Sequence, residues 1–147
     1  MRHRKKGKQL NRDTKHRKAL FKNLIQALIL HEKIKTTEAK AKAIKSLADR
    51  LVAKSKQGSL HVRRQILAFL PSKKAAHKLI DEIAPRFKKQ IGGFTRLVRL
   101  GRRRGDNTMM VELGFVKEGK LETEKNKEKK AEPNKTNAQQ KKDKKKK

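Results

Sequence analysis

Residues 94–115 read FTRLVRLGRRRGDNTMMVELGF, and this stretch decides the class of fold. Its last seven residues, MMVELGF (109–115), alternate with period two. Met109, Val111, Leu113 and Phe115 face one way, Met110 and Glu112 the other. The first seven, FTRLVRL (94–100), are rich in strand formers, although adjacent Leu97 and Val98 break strict alternation. Between them GRRRGDNT (101–108) mixes turn-forming Gly, Asp and Asn with three arginines. The spacing predicts two antiparallel strands joined by a flexible, arginine-loaded loop.

Toward the N-terminus the period becomes helical. SLHVRRQILAFL (59–70) places Val62, Ile66, Phe69 and Leu70 on one face, with Ser59 as cap and Pro71 as stop. Ser72 starts a further helix with Ala75, Ala76, Leu79, Ile80 and Ile83 inward, and Pro85 should end it. Before them, Thr36 or Thr37 can cap a helix whose stripe is Ala43, Ile44, Leu47, Leu51 and Val52. Glu38 lies favourably in its first turn and Gly58 is suited to close it. KIKTT (33–37) is short and partly β-branched, with Ile34 and Thr36 on one face, and reads as a strand. The first helix is capped by Asp13 or Thr14 and carries Leu20, Phe21, Leu24, Ile25, Leu28 and Ile29 as its apolar stripe. The predicted class is a two-layer α/β domain of order α-β-ααα-ββ, with helices packed on a small mixed sheet.

Both flanks depart from this pattern. MRHRKKGKQLNR (1–12) has six Lys or Arg and no acid, which predicts an extended basic arm ahead of a globular domain over 13–116. Ordering such an arm costs about 1–2 kcal/mol per residue, so it is expected to move freely until a ligand neutralises it. Residues 117–147 hold only Leu121, Ala131 and Ala138 as apolar side chains and are expected to be a disordered Lys/Glu-rich tail.

The chain of 147 residues has a formal net charge of +30. The tail supplies +7 of it and residues 1–116 the remaining +23. A body so charged repels itself, and a dense polyanion relieves that repulsion. Nucleic acid is therefore the expected partner. A membrane-surface protein is the weaker reading: it would want Trp, Phe or Leu on a helix face opposite Lys, and there is no Trp. The longest apolar-rich run, LIQALIL (24–30), falls far short of the ~20 residues of a membrane span. Without Cys there are no thiol metal sites or disulfides. A cytoplasmic location is expected.

The densest signal is PRFKKQIGGFTRLVRLGRRRG (85–105), where Arg86, Lys88, Lys89, Arg96, Arg99, Arg102, Arg103 and Arg104 occur with no acid. Arginine forms bidentate, charge-assisted bonds to phosphate oxygens, and a loop can follow a phosphate chain. The paired Gly92 and Gly93 allow close approach of a ligand or a positive φ. Phe94 could stack on a base, but reads better as core or as a plug at the strand start. At the other end of the body, Lys15, Arg17, Lys18 and Lys22 crowd the first half of a helix whose dipole favours anions there, and a bound phosphate would reconcile the two; Arg12 and His16 beside them are further candidate contacts. His3 is a further phosphate or base neighbour; His61 and His77 read as helix-surface residues. Asp106 is expected to shape its turn rather than bind metal.

Catalysis lacks support. The acids before residue 117 are scattered, no pair of His has metal spacing, and the glycines form no phosphate-binding loop motif. No cofactor, metal or small-molecule substrate is expected. A DNA-compacting protein and an RNA-processing enzyme are the rivals to a structural RNA binder.

The stretches MRHRKKGKQLNR, HRKALFKNL, HEKIKTTEAKAK and PRFKKQIGGFTRLVRLGRRRGDN together resemble the bacterial large-subunit ribosomal protein of the L-seventeen family, over roughly residues 1–116. The resemblance implies a structural constituent that binds and stabilises large-subunit (23S-type) ribosomal RNA near the peptide exit tunnel, with neighbouring large-subunit proteins as further partners. By matching position it places Arg2, His3, Arg4, Lys5, Lys6 and Lys8 of the arm among RNA helices. It also brings in Thr36, Thr37 and Lys40 from the TTEAKAK stretch, and Arg86, Gly92, Gly93, Thr95 and Arg96 from the hairpin stretch. Lys35 adjoins the second group and completes the candidate set. Two departures stand out: Phe94 replaces the family's usual Tyr, and the tail extends beyond the shared region.

Overall fold

The computed structural model describes residues 7–116; segments 1–6 and 117–147 lie outside them, and with them the expected tail and half of the expected arm. The described part of that arm is not extended throughout. The chain bends at Gly7, Leu10 and Asn11 take positive φ, and the Arg12 amide donates to the Gln9 carbonyl at 3.2 Å, making a turn.

Helix α1 (Thr14–His31) buries Ile25, Leu28 and Ile29, with Phe21 and Leu24 packed against the core beside them. It ends at Glu32, which is left-handed at φ 61°. That unusual backbone is held from several sides. The Glu32 carbonyl accepts the Phe115 amide at 3.1 Å, and its carboxylate faces Arg86 at 3.0 Å and Lys78 at 3.8 Å. Strand β1 (Lys33–Thr37) follows at once, then α2 (Glu38–Ser55), α3 (Leu60–Phe69) and α4 (Lys73–His77). Asp13, Thr37 and Ser72 occupy helix N-cap positions without side-chain cap bonds; only Ser59 makes one, accepting the Val62 amide at 3.3 Å. Leu70 takes extended backbone before Pro71, as the proline ring demands, and α3 stops there.

Pro85 does not stop the fourth helix as expected. From α4 the chain continues through a π-helical segment (Lys78–Ile83) into a last turn, α5 (Ala84–Arg86), which contains the proline. The Ala84 amide donates to the carbonyl of Leu79, five residues back. This wider winding carries the helix past a residue that has no N–H and whose ring crowds the preceding turn.

Strands β2 (Thr95–Arg102) and β3 (Met109–Phe115) form the expected antiparallel hairpin. The sheet order is β1-β3-β2, and β3 pairs antiparallel with both neighbours. The sheet is thus wholly antiparallel, not mixed. The crossover through the helices makes β1 and β2 run the same way, but β3 inserts between them and no parallel pair touches.

Register separates two faces. Rows Ile34–Leu113–Leu97 and Thr36–Val111–Arg99 lie on the helix side, where Leu113 and Val111 are fully buried. Rows Lys33–Gly114–Arg96 and Lys35–Glu112–Val98 lie on the other. Leu97 and Val98, adjacent in sequence, accordingly point apart: one packs on the core, the other is exposed. Burying an aliphatic side chain of this size contributes about 1.5–3 kcal/mol, and the core unites α1, α2, α3, the π segment and the inner sheet face. Phe87 stands edge-on to Phe94, ring centroids 5.3 Å apart, with Phe115 at 6.4 Å from Phe87.

Candidate nucleic-acid interface

Eight acids occur in residues 1–116, and each is engaged within the fold. Glu32 faces Arg86 and Lys78; Glu38 faces Lys42 at 2.6 Å and Arg99 at 2.9 Å; Asp81 faces Arg63 at 2.8 Å and His77 at 3.7 Å. Glu112 meets Lys33 at 3.1 Å, Glu82 meets Arg86 at 3.9 Å, and Asp13 lies 3.7 Å from His16. Asp49 accepts the buried Thr95 hydroxyl at 2.9 Å, and Asp106 binds Arg103. These contacts sort the cations into those with a carboxylate partner and those without one.

The hairpin loop carries its own network of hydrogen bonds. β2 continues to Arg102, beyond the expected strand end, after a bulge between Arg99 and Gly101 that leaves Leu100 unpaired. Gly101 reaches φ +131°, a backbone that glycine adopts cheaply. The Arg103 amide then donates to the Thr108 carbonyl at 2.9 Å. Asp106 Oδ1 accepts Arg103 Nε at 3.1 Å and the Thr108 amide at 3.3 Å, while Oδ2 accepts Arg103 Nη2. Those bonds hold the Asp106 carboxyl well below the usual carboxylate range and raise the Arg103 guanidinium; the Arg103 contact is the larger cause for Asp106. The side chains of Arg102 and Arg104 are exposed and make no hydrogen bond or ion pair among the described residues.

The approach to β2 is wired by two residues the sequence did not single out. Gln90 Nε2 donates to the Gly92 carbonyl at 2.7 Å and the Gly93 carbonyl at 3.0 Å. Lys56 Nζ, from the end of α2, donates to the Gln90 carbonyl at 2.6 Å and sits 5.5 Å from the centre of the Phe94 ring. Only Gly93 needs positive φ, at +72°; a Cβ at Gly92 would meet nothing within 4 Å. Lys88 and Lys89 stand exposed on the turn after α5. Phe94 is 1% exposed and cannot offer a face to a base, so the core reading holds.

At the other basic end, Arg17 Nη1 donates to the Arg12 carbonyl at 3.0 Å and staples the turn to α1. Lys8, Arg12, Lys15 and His16 are exposed around it. Of the remaining candidates, Lys35 is exposed and Lys40 half-buried, Thr37 is the α2 N-cap, and Thr36 and Thr95 are buried, so their side chains shape the fold rather than meet solvent. Arg86 and Arg99 both carry acid partners, and Arg96 also has an interaction within the fold. Register places Arg96 across Gly114 from Lys33, a cation that sequence reading passed over because β1–β3 pairing is not local. Arg2, His3, Arg4, Lys5 and Lys6 lie outside the described residues.

A groove of about 320 Å³ between α2 and α3 is lined by Leu47, Leu51, Ile66 and Phe69, with Arg50, Lys54 and Gln65 at its rim. Among the described residues no His, Asp or Glu cluster could hold a metal, and no helix is long and apolar enough to cross a membrane.

Fold and charge layout thus define a class: a small, strongly basic α/β protein in which the acids are committed internally and the surplus cations include exposed groups at the α1 start, on the helices, on the turn after α5 and in the hairpin loop. A profile of the family described as Ribosomal protein L17 matches residues 20–116. Large ribosomal subunit protein bL17 of Thermodesulfovibrio yellowstonii is 47% identical over 130 residues, covering 88% of this chain and 98% of its own. The bL17 proteins of Pelobacter propionicus (45% over 118 residues; 80% and 93%) and Geobacter metallireducens (43% over 133; 90% and 72%) are similar too. The chain belongs to the ribosomal protein L17 family, whose role in the ribosome is structural and not enzymatic.

Proposed function

We propose that this protein binds and stabilises folded 23S-type ribosomal RNA in the large subunit, near the peptide exit tunnel, through phosphates and shape rather than base sequence. The tunnel location follows from the family resemblance. The observation that carries RNA binding is the sorting of charges: with every acid of residues 1–116 engaged, the excess positive charge has no internal partner. RNA supplies phosphates at the density that excess requires, and folded RNA offers surfaces readable by shape. Lys8, Arg12, Lys15 and His16 form one contact region, and Lys88, Lys89 and the Arg102–Arg104 loop the other. Lys35, Lys40 and Arg96 are further candidate contacts, while Thr36, Thr37, Gly92, Gly93 and Thr95 are assigned to the same interface from the family resemblance. Arg2, His3, Arg4, Lys5 and Lys6 are assigned to RNA contact from the family resemblance alone. Neighbouring large-subunit proteins complete the setting.

Cross-linking in intact large subunits tests this. Adducts to ribosomal RNA are expected at both regions, within reach of tunnel-exit nucleotides. Adducts confined to proteins, or a purified protein that ignores 23S-type RNA at moderate salt, would overturn it.

A further inference from the structure

Asp106 is an anion in the middle of a loop read above as binding anions. Electrostatics alone would disfavour it there. Its three accepted bonds explain its presence: they close the turn from Arg103 to Thr108, together with the Arg103–Thr108 backbone bond. Gly105 at φ +101° and Asn107 at φ 50° supply the backbone that this closure needs. The cost of the arrangement is one arginine, since Arg103 turns both its Nε and Nη2 donors inward. Its two neighbours in sequence have no such partner and remain exposed.

We propose that Asp106 is the positioning residue of the hairpin loop, that Arg103 is its internal partner, and that Arg102 and Arg104 are the groups that contact RNA phosphate. The inference rests on the RNA-binding reading and divides its three arginines into two roles. A hydrogen-bonded loop presents Arg102 and Arg104 with less backbone ordering left to complete at binding, which favours affinity. Because the Asp106 carboxyl titrates far below neutrality, the clip persists across physiological pH.

Full-length protein and 23S-type transcript, titrated at several salt concentrations, separate these roles. Arg102→Ala and Arg104→Ala should each lower the slope of log affinity against log salt by about 0.7–0.9. Asp106→Asn should weaken binding about two- to fivefold with the slope kept, although it removes a negative charge. Asp106→Ala, which also loses the acceptor for the Thr108 amide, should be weaker still, so the Asn variant is a partial rescue. Amide exchange at Arg103 and Thr108 in the RNA-free protein should quicken in both Asp106 variants. Tighter binding by Asp106→Asn, or a slope loss in Arg103→Ala equal to that in Arg102→Ala, overturns the inference while RNA binding stands. Absence of wild-type binding instead overturns the reading beneath it.

Discussion

The corner where β1 enters α2 and the loop where β2 returns as β3 are both rich in cations, yet they handle charge differently. At the corner, Glu38 draws in both Lys42 from α2 and Arg99 from β2, so each of these cations has a carboxylate partner, although the two share it. In the loop a single acid holds a single arginine, and Arg102 and Arg104 are left over. The same contrast repeats elsewhere: Arg63 and Lys78 reach acids, whereas Lys88 and Lys89 on the turn after α5 do not. A count of basic residues cannot tell a structural cation from an available one, but the location of the acids can.

The comparison breaks most visibly if residues placed in the core prove to bind RNA. Phe94→Ala should cost about 3–5 kcal/mol, because it empties a buried site against Phe87. Its RNA salt slope should match wild type under conditions where it is folded. A near-native melting temperature with a large affinity loss would mean that the ring stacks on a base. Next in size is the fourfold variant Lys88→Ala, Lys89→Ala, Arg102→Ala, Arg104→Ala. Its salt slope should fall by about 3, or ~60-fold in relative affinity between 50 and 200 mM salt. Arg63→Ala with Lys78→Ala removes two partnered cations and should leave the slope within about 1 of wild type while lowering the melting temperature. Equal slopes in the two variants would erase the distinction between the regions.

Lys56 tests the boundary between the classes, since it is a cation whose partner is a carbonyl and a ring. Lys56→Met should destabilise by about 1–2 kcal/mol through loss of the Gln90 carbonyl bond, with little effect on RNA affinity. Denaturant unfolding together with RNA titration reads both quantities. An affinity loss without destabilisation would move Lys56 into the RNA-facing group.

Much of this was legible in the sequence because helix stripes and strand alternation are local patterns. Leu24 through Ile29, Ser59 as a cap and the β3 alternation depend only on residues a few positions apart. The errors have non-local causes. Whether the sheet is mixed or antiparallel depends on which strand lies between β1 and β2, and KIKTT carries no mark of its partner. Pro85 marked a stop, but the π winding that accommodates it depends on packing of Leu79 and Ile83 in the core. The basic segments of the candidate site were readable from composition, and the turn role of Asp106 from its neighbours. What composition could not supply was pairing: Arg99 and Arg104 look alike in the sequence, and only the fold brings Glu38 to the first.

The smallest expected effect tests whether compensation at the corner is energetic as well as geometric. Bonds from Lys42 and then Arg99 hold the Glu38 carboxyl at about 2, against about 4.3 for an unperturbed glutamate. The folded-state value is the lower one, so the stabilising contribution is present above pH ~4 and is lost as pH falls from there toward 2. Glu38→Gln should therefore flatten the acid limb of melting temperature against pH between about 4 and 2, with a smaller change from pH 5 to 7. The Glu38 side chain keeps about a fifth of its exposure, and solvent screening holds the effect to a modest shift. Identical acid limbs in the two proteins would mean that Glu38 merely sits near Lys42 and Arg99 without being stabilised by them. Arg99 would then join the cations available to RNA, and the contrast between corner and loop would reduce to one of position.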